Sequence, residues 1–215
     1  MSWRRFAKRI ARMFFRVVAA PHVLLYRISA TLHDPDKAFH GASQSLARVP
    51  GLFGEFLRYE FYRVTLEDCG EDCCISFGTI FSKRNARLGS RVYIGTGCTL
   101  GLVTIGDDAL LASNVDVLSG SGQHAFDSDR IPIREQGGVV KRVTVGADAW
   151  IGNRSVVMAD VGPGAVVGAG SVVTKPIPSL ALAVGTPARV VGTRGHSHKH
   201  RDDVWDVRST EETGA

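Results

Sequence analysis

The sequence predicts a parallel β-helix, a mainly β fold in which short strands and corners form stacked coils. An aliphatic residue followed by glycine recurs about every six residues through the second half of the chain, as in Ile94-Gly95 and Ile151-Gly152. A small or β-branched side chain stands four residues after most of these aliphatic residues. Neither the helical period of about 3.6 nor the strand period of about 2 explains this spacing, whereas hexapeptide repeats are typical of β-helices.

The repeat also predicts which side chains point inward. The aliphatic positions are Leu88, Ile94, Leu100, Ile105, Leu111, Val117, Val145, Ile151, Val157, Val161, Val167 and Val173, and the small positions are Val92, Cys98, Thr104, Ala109, Val115, Ala149, Ser155, Ala165 and Ser171. Glycine at a corner would supply a backbone conformation that a Cβ disfavours. A β-sandwich with glycine-rich turns is the alternative, but it does not explain so many aliphatic residues in one phase.

The basic charge of the chain is concentrated at its N-terminus. The formal net charge of the 215 residues is +5, and seven of the 26 basic residues precede the first acidic residue, Asp34. The remaining 19 basic residues stand against 21 acidic ones. A nucleic-acid-binding body would present a basic face in its folded region, so no nucleic-acid partner is expected.

Residues 1–33 are predicted to form a basic amphipathic helix. On a helical projection the apolar face carries Trp3, Phe6, Ile10, Met13, Phe14, Val17 and Val18, and the basic face carries Arg4, Arg5, Lys8, Arg9, Arg12 and Arg16. Phe15 alone falls outside the apolar face. Such a helix suits the headgroup region of an anionic membrane, and docking on its own protein or on a second subunit is an equal alternative.

The same segment is not expected to cross a membrane. Its longest apolar stretch, residues 17–26, contains Pro21 and His22 and is shorter than the about 20 residues that a bilayer requires. A cleavable signal peptide is disfavoured because arginines continue to position 16. An organellar transit peptide remains open on composition.

The rest of the chain outside the repeats is interpreted from composition. Within residues 34–74, a polar linker at 34–50 precedes a second helix at 51–65. Three successive repeats would close one triangular coil, so the stacked coils form a prism, and the aromatic residues of the second helix would cap its open end. Residues 194–215 form a polar tail, in which His196, His198 and His200 are expected to be solvated. Cys69, Cys73, Cys74 and Cys98 lack the spacing of a disulfide framework or a zinc site, which favours a reducing compartment.

The repeats stop once, at a loop of residues 118–142 that contains His124. Long irregular excursions from a compact fold are usually functional or disordered. A histidine is the natural general base near neutral pH, because its unperturbed pKa is about 6.5. An exposed loop histidine without a role is the alternative interpretation.

The motifs together resemble the hexapeptide-repeat acyltransferases, and among them the sugar and polysaccharide O-acetyltransferases. The resemblance covers roughly residues 75–193 and includes the loop with one histidine, the block at 148–152 and the blocks at 168–175 and 185–190. It implies a left-handed parallel β-helix, a homotrimer with active sites between subunits, and acetyl-CoA as the acyl donor, with no metal required. It also implies a saccharide acceptor.

The resemblance assigns roles to individual residues. His124 matches the catalytic histidine, which takes the proton of an acceptor hydroxyl in a direct transfer. The positions that contact coenzyme A in the family are Asn153, Ala169, Thr174, Lys175 and Arg189. Trp150 matches a tryptophan near the active site and is equally compatible with a packing role. Gly95 stands where the sugar-acetylating relatives have an asparagine that positions the acceptor, and Arg194 lies just beyond a second arginine position.

The predicted function is transfer of an acetyl group to a hydroxyl of a sugar, on a polysaccharide precursor or a lipid-linked saccharide. The expected location is the cytoplasm, with peripheral contact at the inner face of the membrane through residues 1–33. Acetylation of an amino sugar or of a small molecule such as an antibiotic is the alternative, and a non-catalytic scaffold is a third. The γ-type carbonic anhydrases need three zinc-binding histidines, and the repeats contain one.

Overall fold

A computed structural model describes residues 3–195, with the backbone alone for residues 3–11. The described part contains three α-helices, followed by six coils of β-helix, with a short 3-10 helix (Ile133–Glu135) between two of the strands. The predicted tail, with His196, His198 and His200, lies outside the described residues from position 196 onward. The helices are α1 (Trp3–Leu32), α2 (Pro35–Ala47) and α3 (Gly51–Thr65).

The strands form the three faces of a left-handed parallel β-helix, as the resemblance implies. Face A contains β1 (Asp68–Cys69), β4 (Arg87–Leu88), β7 (Val103–Ile105) and β10 (Val143–Val145). Face B contains β2 (Cys74–Ile75), β5 (Tyr93–Ile94), β8 (Leu110–Leu111), β11 (Trp150–Ile151), β13 (Val166–Val167) and β15 (Ala181–Val184), and it ends in the antiparallel β16 (Arg189–Thr193). Face C contains β3 (Ile80–Phe81), β6 (Thr99–Leu100), β9 (Asp116–Val117), β12 (Val156–Val157) and β14 (Val172–Val173). The first strand thus precedes the expected start at residue 75.

The core is the predicted column of aliphatic layers. All twelve predicted aliphatic residues are at most 1% exposed. Each such side chain contributes about 1.5–3 kcal/mol by leaving water, so the stack of coils stabilises itself. One small position was predicted wrongly: Thr104 is half-buried and pairs outward with Arg87 and Thr144, while Val103 takes the inward place. The spacing between inward residues shortens here, and a shift of one residue turns a side chain to the other face.

The irregular spacings of the repeat all fall at one corner of the prism. Inward residues are six apart across the corners from face A to face B and from face B to face C. Two spacings are shortened and one is interrupted where the chain passes from face C of one coil to face A of the next. The shortened ones run from Leu100 to Ile105 and from Val157 to Val161, and the interruption follows Val117. This C–A corner is therefore the place where the fold tolerates insertions.

The glycine that follows most of the aliphatic residues has a different role from the predicted one. Neither Gly95 nor Gly152 has a left-handed backbone conformation. A Cβ on Gly95 would instead lie 2.7 Å from the carbonyl carbon of Ala112, and one on Gly152 would lie 2.5 Å from the nitrogen of Ala169, both in the next coil. Left-handed conformations occur at other corner residues, among them Arg91, Asp108, Asn114, Asp148 and Arg154. Glycine is needed here because successive coils approach closely.

Residues 34–50, expected to be a polar linker, contain the helix α2. Its N-cap is Asp34, whose side chain accepts a hydrogen bond from the Lys37 nitrogen at 2.9 Å, and Pro35 follows as the first helical residue. The buried residues of α2 are Phe39, Ser43, Leu46 and Ala47. These residues recur at the helical period and form a short apolar face. The helix was not predicted because most of its other residues are polar.

Helix α3 caps the open end of the prism, in the place expected for residues 51–65. The ring of Tyr62 lies 4.7 Å from that of Phe81, the inward residue of β3. The buried guanidinium of Arg58 donates to the carbonyl oxygens of Ile75 at 2.8 Å, Leu46 at 3.1 Å and Val49 at 2.7 Å. Arg58 therefore ties the first coil to the C-terminal end of α2, where helical carbonyls lack partners.

Helix α1 docks on its own protein, through the face opposite to the predicted apolar one. The ring of Phe15 stacks on Phe56 at 5.0 Å, and the ring of Tyr26 packs 6.0 Å from Phe61. Arg16 pairs with Glu60 of α3 at 3.1 Å. Phe15, which the helical projection placed outside the apolar face, is thus a docking residue. Met13, Phe14 and Val17 of the predicted apolar face remain exposed.

The expectation that this segment is too short to cross a membrane is wrong on length. The helix continues through Pro21 and His22, so that its segment Arg12–Leu32, of 21 residues, is long and apolar enough to span a bilayer by length and composition. Little of the segment is buried inside the protein. The structure thus leaves a largely apolar helix surface free.

Candidate active site

The loop of residues 118–142, which we call the histidine loop, leaves the prism at the C–A corner between β9 and β10. Its two arms form a ribbon. Backbone hydrogen bonds join Lys141 to Ser119 at 2.9 Å, Val139 to Gly122 at 2.7 Å and Ala125 to Gly137 at 2.9 Å. The arms are thus held together from the root of the loop to its histidine.

Side chains fix both ends of the histidine loop. At the tip, the Gln136 amide accepts from the Ser128 nitrogen at 2.9 Å and donates to the carbonyl oxygens of Ser128 and Ile131 at 2.8 and 2.9 Å. At the root, Arg142 donates to Glu67 at 2.8 Å and to the Asn85 carbonyl oxygen at 2.8 Å. Hydrogen bonds from Arg87 and from Arg142 hold the pKa of Glu67 below its usual value.

His124 lies on the outgoing arm, and its side chain is exposed. A Cβ on Gly138 of the returning arm would stand 2.0 Å from the carbonyl oxygen of Gln123 and 2.8 Å from the His124 nitrogen, so the arms approach most closely at the histidine. No side chain among residues 12–195 of this single chain forms a hydrogen bond to the imidazole. Nearby apolar side chains of the loop, Phe126, Ile131 and Ile133, are also exposed. The backbone around the histidine is thus well defined, while its ring has no hydrogen-bond partner among the side chains of residues 12–195.

A cavity of about 340 Å³ lies beneath the root of the histidine loop. It is lined by Gly120, Lys141, Met158, Asp160 and Thr174, with neighbouring residues of the same corner. Asp160 is fixed by a hydrogen bond of 2.7 Å from the Thr144 nitrogen. Thr174 was a predicted cofactor residue, and Lys175 follows it at the same corner. Sequence reasoning missed Lys141, Met158 and Asp160; the shortened spacing after Val157 was the signal that could have found the last two.

The other predicted cofactor residues lie at a different corner, between faces B and C. The Gly170 nitrogen donates to the Asn153 carbonyl oxygen at 2.8 Å, which stacks Asn153 beside Ala169 in the next coil. The Asn153 side-chain oxygen accepts from the Ser113 nitrogen at 3.1 Å, and its amide N–H groups have no acceptor within residues 12–195. Arg189 pairs with Val184 at the end of β15, on the face-B side of this corner. The five predicted cofactor residues therefore flank face C on two corners.

Trp150 lies on the outer surface of face B, in register with Leu110 and Val166 of the neighbouring coils. It belongs to an apolar column that we call the face-B ladder, which consists of Cys74, Tyr93, Leu110, Trp150, Val166 and Leu182. In a triangular prism, face B is opposite the C–A corner. The structure thus does not bring Trp150 and His124 of one chain together.

Two further residues that the sequence analysis named, Gly95 and Arg194, contribute to the packing of the coil. Gly95 is enclosed by the next coil and carries no side chain that would position an acceptor. Arg194 donates to the Asp148 carboxylate at 2.8 Å and to the Gly164 carbonyl oxygen at 3.4 Å, so it fastens the end of the described chain to a corner.

Burial raises the pKa of the Cys98 thiol, as expected for a packing residue. Within the described residues, no cluster of histidine, cysteine and acidic side chains is arranged to hold a metal.

Comparison with known proteins gives relatives with the same repeat. No protein-family model matches the chain. The galactoside O-acetyltransferase of Escherichia coli K12 is 34% identical over 138 residues, which cover 61% of this chain and 66% of the relative. The first three curated relatives are covered over 40%, 66% and 66% of their lengths, so the chain matches less than two thirds of each.

Solved structures share the fold. A maltose O-acetyltransferase from Clostridium difficile 630 superposes with a TM-score of 0.61 and 22% identity over 75% of this chain and 89% of that one. AntD, an N-acyltransferase from Bacillus cereus solved in complex with dTDP and coenzyme A, superposes with a TM-score of 0.53 and 21% identity over 62% of this chain and 75% of that one. The chain thus shares its coil with solved acyltransferases, and its sequence is similar to that of curated O-acetyltransferases of the hexapeptide-repeat family.

Proposed function

We propose that the protein is an O-acetyltransferase that moves an acetyl group from acetyl-CoA to a hydroxyl of a saccharide. The observation that carries the proposal is the position of His124 on a hydrogen-bonded ribbon, whose root lines a cavity together with Thr174; His124 itself is not among the lining residues. A curated relative that is 34% identical is named a galactoside O-acetyltransferase. A scaffold protein would have no need of a histidine on a ribbon that is fixed at its root and at its tip.

In the proposed mechanism, His124 acts as the general base. The imidazole takes the proton from the acceptor hydroxyl as its oxygen attacks the carbonyl carbon of the acyl thioester. Collapse of the tetrahedral intermediate breaks the carbon–sulfur bond, and the imidazolium returns the proton to the leaving thiolate. A positioned base of this kind contributes about 10²- to 10⁴-fold to the rate. A backbone N–H beside the cavity would stabilise the oxyanion.

The residues around face C fit an extended, anionic acyl donor. Ala169 and Gly170 form an exposed corner without bulky side chains, where a pantetheine arm can approach the coil. Asn153 offers free amide N–H groups beside that corner. Lys175 and Arg189 are exposed cations at opposite borders of the face, suited to phosphate groups. The donor supplies an acyl thioester, and these side chains would bind and orient it.

We infer that the working unit is a homotrimer with each active site between two subunits. Trp150 and the corner of Asn153 and Ala169 lie away from the His124 of the same chain, so a neighbour's His124 would complete the site. Tyr93, Leu110 and Trp150 of the face-B ladder are exposed and offer an apolar surface for such contact. Exposed apolar side chains of the histidine loop, Phe126, Ile131 and Ile133, would be covered in the same way. The ring of His124 would gain its partners there.

The acceptor is proposed to be a saccharide hydroxyl, on a polysaccharide precursor or a lipid-linked saccharide. The named activities of the relatives favour oxygen over nitrogen: galactoside and maltose O-acetyltransferases match the chain, while AntD is an N-acyltransferase. Acetylation of an amino sugar is the second candidate, which AntD motivates. The proposed location is the cytoplasm, at the inner face of the membrane, with peripheral contact through residues 1–33.

An acceptor screen tests the proposed activity. The full chain is incubated with acetyl-CoA and with galactosides, maltose, a lipid-linked saccharide and amino sugars, and the release of free thiol and the mass of each product are measured. Acetyl esters on a saccharide are expected. Transfer to amines alone would overturn the O-transfer assignment, and the absence of acetyl-CoA binding in calorimetry would overturn the enzymatic assignment.

A further inference from the structure

One face of α1 is apolar and faces away from the protein. Its exposed members are Met13, Phe14, Val17, Leu24, Leu25, Ile28 and Leu32, whose exposed fractions range from 50% to 73%. The residues between them on this face are Ala20, Pro21 and Thr31, so it carries no charge from Met13 to Leu32. At about 1.5 Å per residue the face is about 29 Å long. We call it the outward face of α1.

The outward face cannot be covered by the rest of the chain that the structure describes. The opposite side of α1 already packs on α2 and α3 through Phe15, Ala19 and Tyr26, and Arg16 pairs with Glu60. Rotating the helix would take these residues from their partners. An apolar surface of this length on a fixed helix marks a contact with a protein or with a membrane.

A groove beside the outward face carries groups that suit a phospholipid headgroup. The groove, of about 390 Å³, runs between α1 and α3 and is lined by Arg16, Leu24, Arg27, Glu60 and Val64, with small residues between them. The Glu60 side chain is 1% exposed; its Oε2 pairs with Arg16, while its Oε1 has no hydrogen-bond partner among the described residues. A buried acceptor oxygen without a donor is costly, so a ligand that brings a hydroxyl or ammonium donor would be favoured.

Arg27 supplies the complementary group of the same groove. Its guanidinium is exposed, and no carboxylate among residues 12–195 pairs with it. Guanidinium groups bind phosphate through two parallel hydrogen bonds. A phosphate beside Arg27 and a hydroxyl or ammonium beside Glu60 are the two polar parts of a glycerol- or ethanolamine-bearing headgroup. Leu24 lines the groove and belongs to the outward face, so the acyl chains of such a lipid would continue onto apolar surface.

We propose that α1 lies in the plane of an anionic phospholipid bilayer, with its outward face at the acyl boundary and a lipid phosphate held by Arg27 beside Glu60. Helices with one apolar face and flanking arginines bind in this way. The in-plane geometry follows from the docking of α1 on α3, because crossing the bilayer would detach Phe15, Arg16 and Tyr26. The proposal specifies the membrane contact inferred above and does not depend on the acyl transfer, so either can fail alone.

Vesicle flotation of the full chain tests the outward face. Leu24→Asp and Ile28→Asp, each alone, are compared with Val191→Asp, which charges an aliphatic residue of similar exposure, 63%, at the far end of the coil. On vesicles of phosphatidylglycerol and phosphatidylcholine, we expect each α1 variant to lose affinity by about tenfold or more, and the control to keep it. Unchanged circular dichroism and an unchanged melting temperature establish folding. Full binding by the α1 variants would overturn the proposal.

A second comparison tests the headgroup groove. Arg27→Gln and Arg48→Gln each remove one exposed positive charge from the helical layer, but only Arg27 lines the groove. Loss of one positive charge near the surface should lower the affinity for anionic vesicles by about fivefold in either variant. Arg27→Gln also removes the proposed phosphate ligand, so we expect a larger loss for it than for Arg48→Gln. Equal losses would overturn the headgroup site. Resistance of the wild type to carbonate extraction would show a spanning helix, and a changed subunit number for Leu24→Asp without vesicles would show a second copy on the face. Either result would overturn the proposal.

Discussion

His124 is the residue on which the proposed chemistry depends, and its position is fixed by backbone contacts. The arms of the loop meet at 2.7–2.9 Å on both sides of it, and Gly138 leaves no room for a Cβ beside it. The ring itself remains exposed and available. A general base must come within hydrogen-bond reach of the proton that it removes, and an exposed imidazole on a fixed backbone can do so once a hydroxyl binds.

Replacing this imidazole should abolish most of the activity without affecting the fold. For His124→Ala we expect acetyl transfer to fall by about 10²- to 10⁴-fold, because proton removal from the attacking hydroxyl would be left to water. Thiol release from acetyl-CoA measures the loss. His33→Ala, which removes an exposed histidine of the helical layer, serves as the matched control. Comparable loss in both variants would contradict the assignment of the base.

The glycines of the coil offer a second test at this scale. Gly152→Ala places a Cβ 2.5 Å from a backbone nitrogen of the next coil, so we expect a loss of about 1–3 kcal/mol in the free energy of unfolding. Gly41→Ala, in the exposed middle of α2 with no atom within 4 Å of the new Cβ, is the control and should gain about 0.4–1 kcal/mol. Denaturant titrations measure both. Equal effects would show that close coil stacking is not the reason for glycine.

At the scale of elements, the joint between α2, α3 and the first coil is a buried polar network. The Tyr62 hydroxyl and the Ser43 Oγ lie 2.7 Å apart, and the Ser43 Oγ accepts from the Phe81 nitrogen at 2.8 Å. The network joins both helices to the strand that begins the core. Burial raises the pKa of Tyr62 far above the ordinary tyrosine value, and the hydrogen bond with Ser43 offsets only part of this effect.

This shift predicts an alkaline limit of stability. The folded-state pKa of Tyr62 is raised, so the neutral side chain contributes to the stability of the folded state. This contribution to the free energy of unfolding is complete below the unfolded-state pKa of about 10 and is lost as the pH rises above that value. Melting temperatures of the wild type should therefore fall more steeply between pH 9 and about 11 than those of Tyr62→Phe.

The variant also isolates the hydrogen bond itself. At neutral pH, Tyr62→Phe should cost about 0.5–1.5 kcal/mol, because it removes one buried hydrogen bond and keeps the ring on Phe81. Parallel pH profiles for the two proteins would mean that another group controls the alkaline transition.

The elements differ in how far they could be predicted. The helix at 51–65 was predicted because its aromatic residues are conspicuous, and α3 has those bounds. Helix α2 was missed because Phe39, Ser43, Leu46 and Ala47 form a small apolar face within polar composition. Its burial depends on the first coil and on Arg58, which are distant in sequence, so local pattern alone was insufficient.

At the scale of the whole molecule, the prism separates residues that one active site would need. His124 leaves from the C–A corner, while Trp150 stands on the opposite face. The exposed side chains of the face-B ladder and the exposed apolar residues of the histidine loop are the reason why we propose that further subunits complete the arrangement. A trimer would place the corner of Asn153 and Ala169 of one subunit beside the loop of the next.

Charging the face-B ladder should therefore dissociate the assembly. For Leu110→Asp we expect a shift from trimer to monomer in light scattering, together with loss of transfer, because a buried unpaired carboxylate opposes the contact. Thr104→Asp places the same charge on face A, near Arg87 and Arg142, and should leave the assembly intact. A monomeric wild type, or a trimeric Leu110→Asp, would contradict the proposed interface.

The sequence by itself determined the coil, the twelve aliphatic layers of its core and the loop that carries His124, because a six-residue repeat places one aliphatic side chain inward on each face. It also determined that α1 is amphipathic and basic. Only the tertiary structure decided which way α1 faces, why glycine follows most of the aliphatic residues, and that Thr174 and Asn153 lie on different corners. These depend on distances between residues far apart in the chain, where packing and not local preference fixes the outcome.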